Sequence, residues 1–403
     1  MRKTVLAGAI ASCAVAALIG TGVGTSSVAG LTGSGERAEA ERPTLVGWAR
    51  LPAETYAAGT EVSGSALGTE PINGVKVPFA DQPIQGFSGI VKNADGSFAA
   101  ISDNGYGRKN NSADFLLRIH RIKPDFKGGT VRVGGGISLT DPKGLVHFPL
   151  TRADRKLTGA DFDPEAFVRA PDGTYWVGEE FGPYLLHFDR AGRLMEKPIP
   201  IPGVKSPSSP DLQPGEEPNI GDSKGLENLA ISPDGKTLYP MFEGTVTGDA
   251  PQSLRIYEFD RARAAFTGQR WTYQMEAPKL AVADLVSIGR NRFLTIERDN
   301  LKGDAAAFKK VYKVDLADGN QDGRVDKTEA VDLLNIANPD ELGTPGKTFK
   351  FPFFTIEAVT VLNDRTIGVL NDNNFPSDAT RVANRADDNE FISVRLPESL
   401  SKP

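Results

Sequence analysis

Five segments of the sequence share one spacing of acidic and turn residues, and this repeat limits the possible folds more than any other feature. In the clearest copy, residues 161–183, apolar residues lead to a Pro-Asp-Gly turn, and aromatic and β-branched residues follow it. This pattern is typical of two antiparallel strands joined by a tight turn. Counting outward from the turn places Glu165 opposite Glu180 at the open end of the hairpin. Two facing carboxylates indicate a bound cation or a raised pKa.

Each of the five hairpins carries a polar residue where its first strand begins and an acidic residue where its second strand ends. The two residues are separated by 13 to 16 positions in every copy. The pairs, in chain order, are Ser88/Asp103, Glu165/Glu180, Glu227/Glu243, Asp284/Glu297 and Glu357/Asp372. Five copies at matched positions indicate a structural repeat.

A third strand-like segment follows each hairpin, and a weaker fourth follows four of them. The fifth repeat reaches the end of the chain after its third strand, so a strand near Trp48 is free to complete it. Four-stranded units repeated around an axis form a β-propeller, which leaves few exposed strand edges. We therefore predict an all-β propeller with five readable repeats, closed by the N-terminal strand within the C-terminal blade. An irregular sixth blade in 52–85 or 130–160 remains an alternative.

The N-terminal residues predict an export signal. Residues 1–29 combine Arg2-Lys3 with an apolar, Ala-rich run and small residues at a cleavage point. Cleavage after Ala29 or after Ala40 fits the pattern, and we expect a secreted protein with no membrane segment in its mature form. The alternatives are an uncleaved anchor helix and a lipoprotein modified at Cys13.

Residues 30–43 predict a flexible linker, and residues 44–398 predict a single propeller domain. The net charge of −6 and the absence of a basic stripe argue against nucleic-acid binding. The only cysteine lies in the signal, so the mature chain would form no disulfides. We expect a monomer whose partner is a small-molecule or surface ligand, with phosphorylated compounds among the candidates.

Residues 318–329 match the calcium-binding loop of an EF-hand at every informative position. Oxygen donors stand at positions one, three, five, nine and twelve, and Gly323 provides the sharp turn at position six. The segment before the loop resembles a strand rather than a helix, which predicts a calcium loop inserted into a blade. The expected Ca²⁺ ligands are Asp318, Asn320, Asp322, the carbonyl of Arg324, Asp326 and Glu329. The alternative is a solvated acidic loop.

The repeated acids predict a second metal site. The innermost strands of a propeller are parallel to one another, so their equivalent ends meet at one face, where hard oxygen ligands favour Ca²⁺ or Mg²⁺. The expected carboxylates are Glu165, Glu227, Asp284 and Glu357 around the mouth, with Asp103, Glu180, Glu243, Glu297 and Asp372 further out. The alternative is that these acids cap the backbone of neighbouring blades.

Some residues near this face are candidates for catalysis and for substrate binding. Glu165, Glu180 and Glu227 are the candidate catalytic carboxylates. Lys224, Arg298 and Arg381 could hold a phosphate or a carboxylate. There is no Gly-x-Ser-x-Gly motif, and metal-assisted hydrolysis is favoured over catalysis by a Ser or Cys nucleophile.

Several motifs, in order along residues 80–396, resemble the phytase-like domain, a family described by esterase-like activity of phytase. They are Phe87-Ser-Gly-Ile90, Ser102-Asp-Asn-Gly105, Asp163-Pro-Glu-Ala-Phe167, Gly178-Glu-Glu-Phe-Gly182, Gly225-Leu-Glu-Asn-Leu-Ala-Ile-Ser-Pro-Asp-Gly-Lys236 and Ile356-Glu-Ala-Val359. The resemblance implies a secreted bacterial β-propeller that acts on phosphate esters with calcium.

Three hypotheses about function remain open at this point. The first is an exported, Ca²⁺-dependent phosphoesterase that works at the acidic mouth of the propeller. The second is a non-catalytic propeller that binds a ligand there and is stabilised by calcium. The third is a carboxylester or lactone hydrolase on the same metal platform.

Overall fold

The computed structural model describes residues 42–402, which form strands, turns and two 3₁₀ helices, Ser65–Leu67 and Gly303–Ala305. The predicted signal and nearly all of the predicted linker lie outside the described residues. The strands are β1 (Thr44–Leu51), β2 (Tyr56–Ala57), β3 (Gln82–Pro83), β4 (Phe87–Lys92), β5 (Phe98–Ser102), β6 (Arg118–Asp125), β7 (Thr130–Ser138), β8 (Pro164–Arg169), β9 (Tyr175–Glu179), β10 (Tyr184–Phe188), β11 (Ile199–Pro200) and β12 (Asn228–Ile231). They continue with β13 (Thr237–Met241), β14 (Ser253–Asp260), β15 (Ala265–Gln274), β16 (Ala281–Gly289), β17 (Arg292–Arg298), β18 (Lys309–Asp315), β19 (Asp326–Asp332), β20 (Ile336–Ala337), β21 (Thr348–Phe349), β22 (Thr355–Asn363), β23 (Thr366–Asp372) and β24 (Asn389–Arg395).

These strands form five four-stranded antiparallel blades. In chain order the blades are β4 to β7, β8 to β11, β12 to β15, β16 to β19, and β22 to β24 completed by β1. The innermost strands lie side by side in a closed circle, with β4 beside β8, β8 beside β12, β12 beside β16, β16 beside β22, and β22 beside β4. The fold is therefore a β-propeller, and within residues 42–402 five inner strands complete the circle without a sixth blade.

Closure of the ring by the N-terminal strand is confirmed. Strand β1 pairs antiparallel with β24 along its whole length, from Thr44 opposite Arg395 to Leu51 opposite Asn389. Among the described strands, β1 also touches β7 of the first blade through a single bridge between Arg50 and Thr130. The last blade therefore depends on a segment that is nearly 350 residues away in sequence.

The hydrophobic core is divided among the gaps between blades. Five buried clusters fill the five gaps, and each combines residues from two neighbouring blades, such as Ile101 of the first blade with Val177 of the second. Each blade packs against one neighbour on each of its two faces. Successive residues of a strand point to opposite faces, so the strands bury side chains on both. Because each blade contributes to two clusters, removing one blade would expose both of them.

Strand β1 provides a matched pair of side chains that tests the closure. Leu45 is fully buried between the fourth and fifth blades, whereas Val46 is 41% exposed. We expect Leu45→Ala to lower the free energy of unfolding by about 2–5 kcal/mol because it leaves a core cavity. Val46→Ala should change it by less than about 0.5 kcal/mol. Urea unfolding of both variants measures the difference, and equal effects would contradict the closure.

Candidate metal centre

A break in strand register changes the side-chain direction of the first polar residue in four of the five repeats. The ladder shifts at Ser88, Glu165, Asp284 and Glu357, each of which is the extra residue of a β-bulge in the innermost strand of its blade. A bulge rotates one side chain out of the regular alternation of a strand. In the third blade, Glu227 immediately precedes strand β12 instead.

The acidic residue at the end of the second strand has the same pairing position in every repeat. In all five blades it lies opposite the residue two places before the first polar residue, as Glu180 does opposite Asp163 through a 3.0 Å backbone hydrogen bond. The predicted direct pairing of Glu165 with Glu180 is therefore wrong, because the bulge at Glu165 shifts the strand register by one residue. The bulge nevertheless brings both carboxylates to the same place.

These carboxylates surround a cavity of about 270 Å³ at one end of the inner ring. Two basic residues, Lys224 and Arg298, also line it. The eight acidic residues that line the cavity are Asp103, Asp163, Glu165, Glu180, Glu227, Glu243, Glu357 and Asp372. Because eight carboxylates face only two cationic side chains, the cavity carries a large excess of negative charge when these acids are ionised.

The side chain of Arg298 lies among three of these acids. Its Nη2 is 3.2 Å from Glu357, 3.5 Å from Glu243 and 3.6 Å from Glu227, and the side chain is 3% exposed. A fixed guanidinium at this position offsets part of the repulsion between the carboxylates. Lys224 lies at the rim, half exposed, and its ammonium group pairs with Glu243.

Several contacts orient the acids toward the cavity. Asp163 accepts hydrogen bonds from the backbone NH of Asn104 at 3.1 Å and from its side-chain amide at 2.6 Å. Glu180 accepts one from the backbone NH of Gly225 at 3.0 Å. A Cβ on residue 225 would lie 2.5 Å from the Cα of Glu180, so this close approach requires glycine.

Two groups of carboxylates converge closely enough to hold a cation. Glu165 joins Asp163 and Glu180 in one group, and it joins Glu227 and Glu357 in the other. In each group, one oxygen from each residue lies within 4.8 Å of the others. Oε2 of Glu165 is buried and has no hydrogen-bond partner among the described residues. Hard carboxylate oxygens and a buried acceptor that lacks a partner fit a divalent cation such as Ca²⁺ or Mg²⁺.

Crowding and burial raise the pKa values of the cavity acids. Burial is the main cause for Glu165, Glu180 and Glu227, and neighbouring carboxylates add to it, so the pKa of each lies well above its usual value. Burial and Asp372 raise the pKa of Glu357 to about 8. A cation bound here would stabilise the ionised forms that the protein alone disfavours.

Two of the predicted channel acids do not line the cavity. Asp284 accepts hydrogen bonds from the backbone NH groups of Leu285 and Val359, both at 2.8 Å, so it ties the fourth blade to the fifth. Glu297 turns toward the outer strands of its own and the preceding blade, where Tyr273 and Lys327 donate to it at 2.6 and 2.7 Å. Glu297 also accepts a hydrogen bond from the backbone NH of Glu276 at 2.5 Å, so both acids make backbone-capping contacts of the kind that the alternative describes.

The predicted substrate-binding residue Arg381 also lies elsewhere. Its guanidinium makes two hydrogen bonds with Glu390, at 2.9 and 2.7 Å, and it packs over the rings of Phe349 and Phe353. It is therefore not a cavity residue, whereas Lys224 and Arg298 are. An arginine held by two hydrogen bonds and two rings is already fully engaged in packing.

The predicted calcium loop connects β18 to β19, so strands flank it as expected. The carboxylate of Asp318 accepts hydrogen bonds from the NH groups of Asp322 at 2.9 Å and Gly323 at 2.8 Å, which fold the loop back on its first residue. Glu329 lies on β19 and pairs with Lys310 at 2.7 Å. Within residues 42–402, the converging groups of three acids are those at the cavity, and the loop acids form no such group.

Asp163 and Asn104 are among the cavity residues that were absent from the sequence-based set of site residues. Asp163 stands two places before Glu165, and the Asp-Pro-Glu sequence alone could have suggested it. Asn104 follows Asp103 at the end of its strand, and its role as the partner of Asp163 depends on contact between two blades. The sequence carries no signal for that contact.

Several known proteins are similar to this chain in sequence or in structure. An uncharacterized secreted protein of Arthroderma benhamiae is 26% identical, and the alignment covers 62% of this chain and 60% of that protein. The periplasmic gluconolactonase of Pseudomonas aeruginosa is similar with a TM-score of 0.36 and 13% identity, over 88% of this chain and 98% of that one. A β-1,3-galactosidase is similar with a TM-score of 0.42 and 10% identity, over 77% and 57% of the two chains.

Residues 82–375 match the phytase-like family, which is described by esterase-like activity of phytase. The matched region contains every residue that lines the cavity. Within residues 42–402, no helix is long and apolar enough to cross a membrane. Since the match covers more than half of the sequence, the chain belongs to the phytase-like family.

Proposed function

We propose that this protein is an exported hydrolase of ester bonds that depends on divalent metal ions, with phosphate esters as its substrate class and Ca²⁺ as the first candidate ion. The observation that carries the proposal is the convergence of two carboxylate groups on Glu165, whose buried Oε2 lacks a partner. Membership of the phytase-like family and the secreted relative support it.

The residues that would hold the metal are the five acids of the two converging groups. Bound divalent ions would offset the charge of a phosphate ester and activate a water molecule. Glu180 or Glu227 would act as general base, since a carboxylate with a raised pKa can accept a proton near neutral pH. The base would therefore itself belong to one of the metal-binding groups, so loss of either group should stop hydrolysis.

Lys224 would bind the anionic group of the substrate at the rim. Its side chain is 39% exposed, and its one acidic hydrogen-bond partner among the described residues is Glu243. Arg298 is too deeply buried to meet a large substrate and would instead fix the orientation of Glu227, Glu243 and Glu357. A substrate that enters the cavity would therefore meet Lys224 first.

The proposal predicts metal-dependent turnover in a screen of phosphate esters, carboxylesters and lactones. We expect hydrolysis of phosphate esters that is lost with a chelator and restored by Ca²⁺. Glu165→Gln and Glu227→Gln should each lower kcat at least about 100-fold because the metal ligands or the base are removed. Initial rates with the purified protein measure the effect.

Glu398→Gln serves as the control variant because Glu398 is an exposed acid whose salt-bridge partner among the described residues is Lys402, near the C-terminus. It should keep full activity. Turnover of carboxylesters or lactones alone would overturn the substrate class and favour the third hypothesis. Metal binding without turnover of any ester would overturn the enzymatic proposal and favour the ligand-binding propeller.

The pKa values predict how pH affects the metal-free protein. Burial raises the pKa of Glu179 and of Glu357 from 4.5 to about 8, so the folded state holds protons that the unfolded chain has already lost. The free energy of unfolding should therefore fall as pH rises from about 4.5 to about 8. Ca²⁺ should raise the melting temperature more at the alkaline end of this range.

Thermal melts across this pH range, with chelator or with Ca²⁺, measure both trends. Glu357→Gln should make the dependence on pH shallower, because it removes one of the buried acids whose pKa is raised. A metal-free melting temperature that rises steadily over the range, in the wild type, would contradict the assignment.

We also propose that the loop at 318–329 binds one structural Ca²⁺. Binding through Glu329 would require this side chain to leave Lys310, with which it pairs at 2.7 Å, and to turn toward the loop. Calcium should raise the melting temperature, and the double variant Asp318→Ala with Glu329→Ala should abolish the part of the rise that depends on the loop. A double variant that keeps the full rise would contradict the loop site.

A further inference from the structure

Glu165 belongs to both groups of converging carboxylates. We name these the Asp163 group, which contains Asp163, Glu165 and Glu180, and the Glu227 group, which contains Glu165, Glu227 and Glu357. The other four residues belong to one group each. A carboxylate has two oxygens, each with free lone pairs, so one side chain can serve two cations at once.

One carboxylate oxygen of Glu165 is buried without a hydrogen-bond partner among the described residues. Glu165 is 8% exposed, and no group within residues 42–402 donates a hydrogen bond to its Oε2. A buried carboxylate oxygen without a partner is costly, and native proteins seldom leave one unsatisfied. Because Glu165 belongs to both groups, a cation bound beside it could satisfy this oxygen.

Different parts of the protein hold the two groups in place. Asn104 and the backbone NH of Gly225 orient the Asp163 group. Ser88 donates to Glu357 at 3.1 Å, and Arg298 contacts Glu227 and Glu357, so these residues hold the second group. Two independently supported groups that share one carboxylate are the arrangement that a pair of ions requires.

Arg298 limits the number of ions. Its guanidinium contacts Glu227 and Glu357 and reaches Glu243 as well, so it already offsets part of the negative charge of the Glu227 group. Lys224 occupies the other oxygen of Glu243. Glu243 is therefore committed to fixed cations, and it is absent from both converging groups.

We infer that the cavity binds two divalent cations, one in each group, with Glu165 as their shared ligand. Two-metal sites of hydrolytic enzymes hold their ions about 3.5–4 Å apart, a spacing that one carboxylate can span. The inference rests on the metal dependence proposed above, but it requires neither a particular ester nor catalysis. Glu165 is then a ligand of both ions, whereas Glu180 and Glu227 each serve one.

The test counts bound ions in the full chain after removal of the loop site by Asp318→Ala with Glu329→Ala. Equilibrium dialysis with Mn²⁺ or Ca²⁺ should give two ions for this background. Adding Glu180→Gln or Glu227→Gln should leave one ion, and adding Glu165→Gln should weaken both by at least about tenfold. Adding Glu398→Gln should leave two. Thermal melts verify that each variant is folded.

The electron paramagnetic resonance spectrum of bound Mn²⁺ gives a second readout. Two bridged ions should produce a spin-coupled spectrum that Glu180→Gln converts to that of an isolated ion. One ion in the background protein, or loss of only one ion in Glu165→Gln, would overturn the inference. Two ions without hydrolysis would leave it standing and overturn the proposed enzyme, whereas hydrolysis with one ion would do the reverse.

Discussion

Repulsion among the carboxylates at the centre of the ring is the constraint on which the rest of the structure depends. Eight acids from four blades line one small cavity, and the fourth blade contributes Arg298 instead of a ninth acid. The hydrophobic clusters between blades must hold these side chains together against their mutual repulsion. Burial of these acids, together with the same crowding, raises their pKa values. Their convergence is also the basis of the proposed metal binding. The carboxylates that would bind metal therefore destabilise the metal-free fold by repelling one another, and bound divalent ions would offset this repulsion.

The propeller uses one local device to build this centre. Bulges in the innermost strands turn the first polar residue of four repeats out of the regular alternation. The same device has different results in different blades, because Glu165 and Glu357 enter the cavity while Asp284 caps the backbone of the next blade. The repeat therefore supplies equivalent backbone positions, and the individual side chains decide which of them serve the site and which serve the joints between blades.

Much of the fold could be predicted from the sequence, because hairpin turns, strand alternation and the spacing of acids are local signals. The closure through β1 followed from counting strands. The arrangement of the site residues was harder to predict from the sequence. Counting from a turn assumes a regular ladder, and the bulge at Glu165 adds one residue to it. The outward turn of Glu297 depends on Tyr273 and Lys327, and the engagement of Arg381 depends on Glu390. These contacts join different strands and loops rather than neighbouring residues, so no local sequence pattern predicts them.

The measurement that tests the central claim most directly is an anomalous-scattering crystal structure of the full chain grown with Mn²⁺. The account predicts two anomalous peaks inside the central cavity, both within bonding distance of Glu165, with Arg298 still in contact with Glu357. An empty cavity in crystals whose loop at 318–329 has bound the ion would contradict it. In that case the buried acids would serve only to hold the blades together.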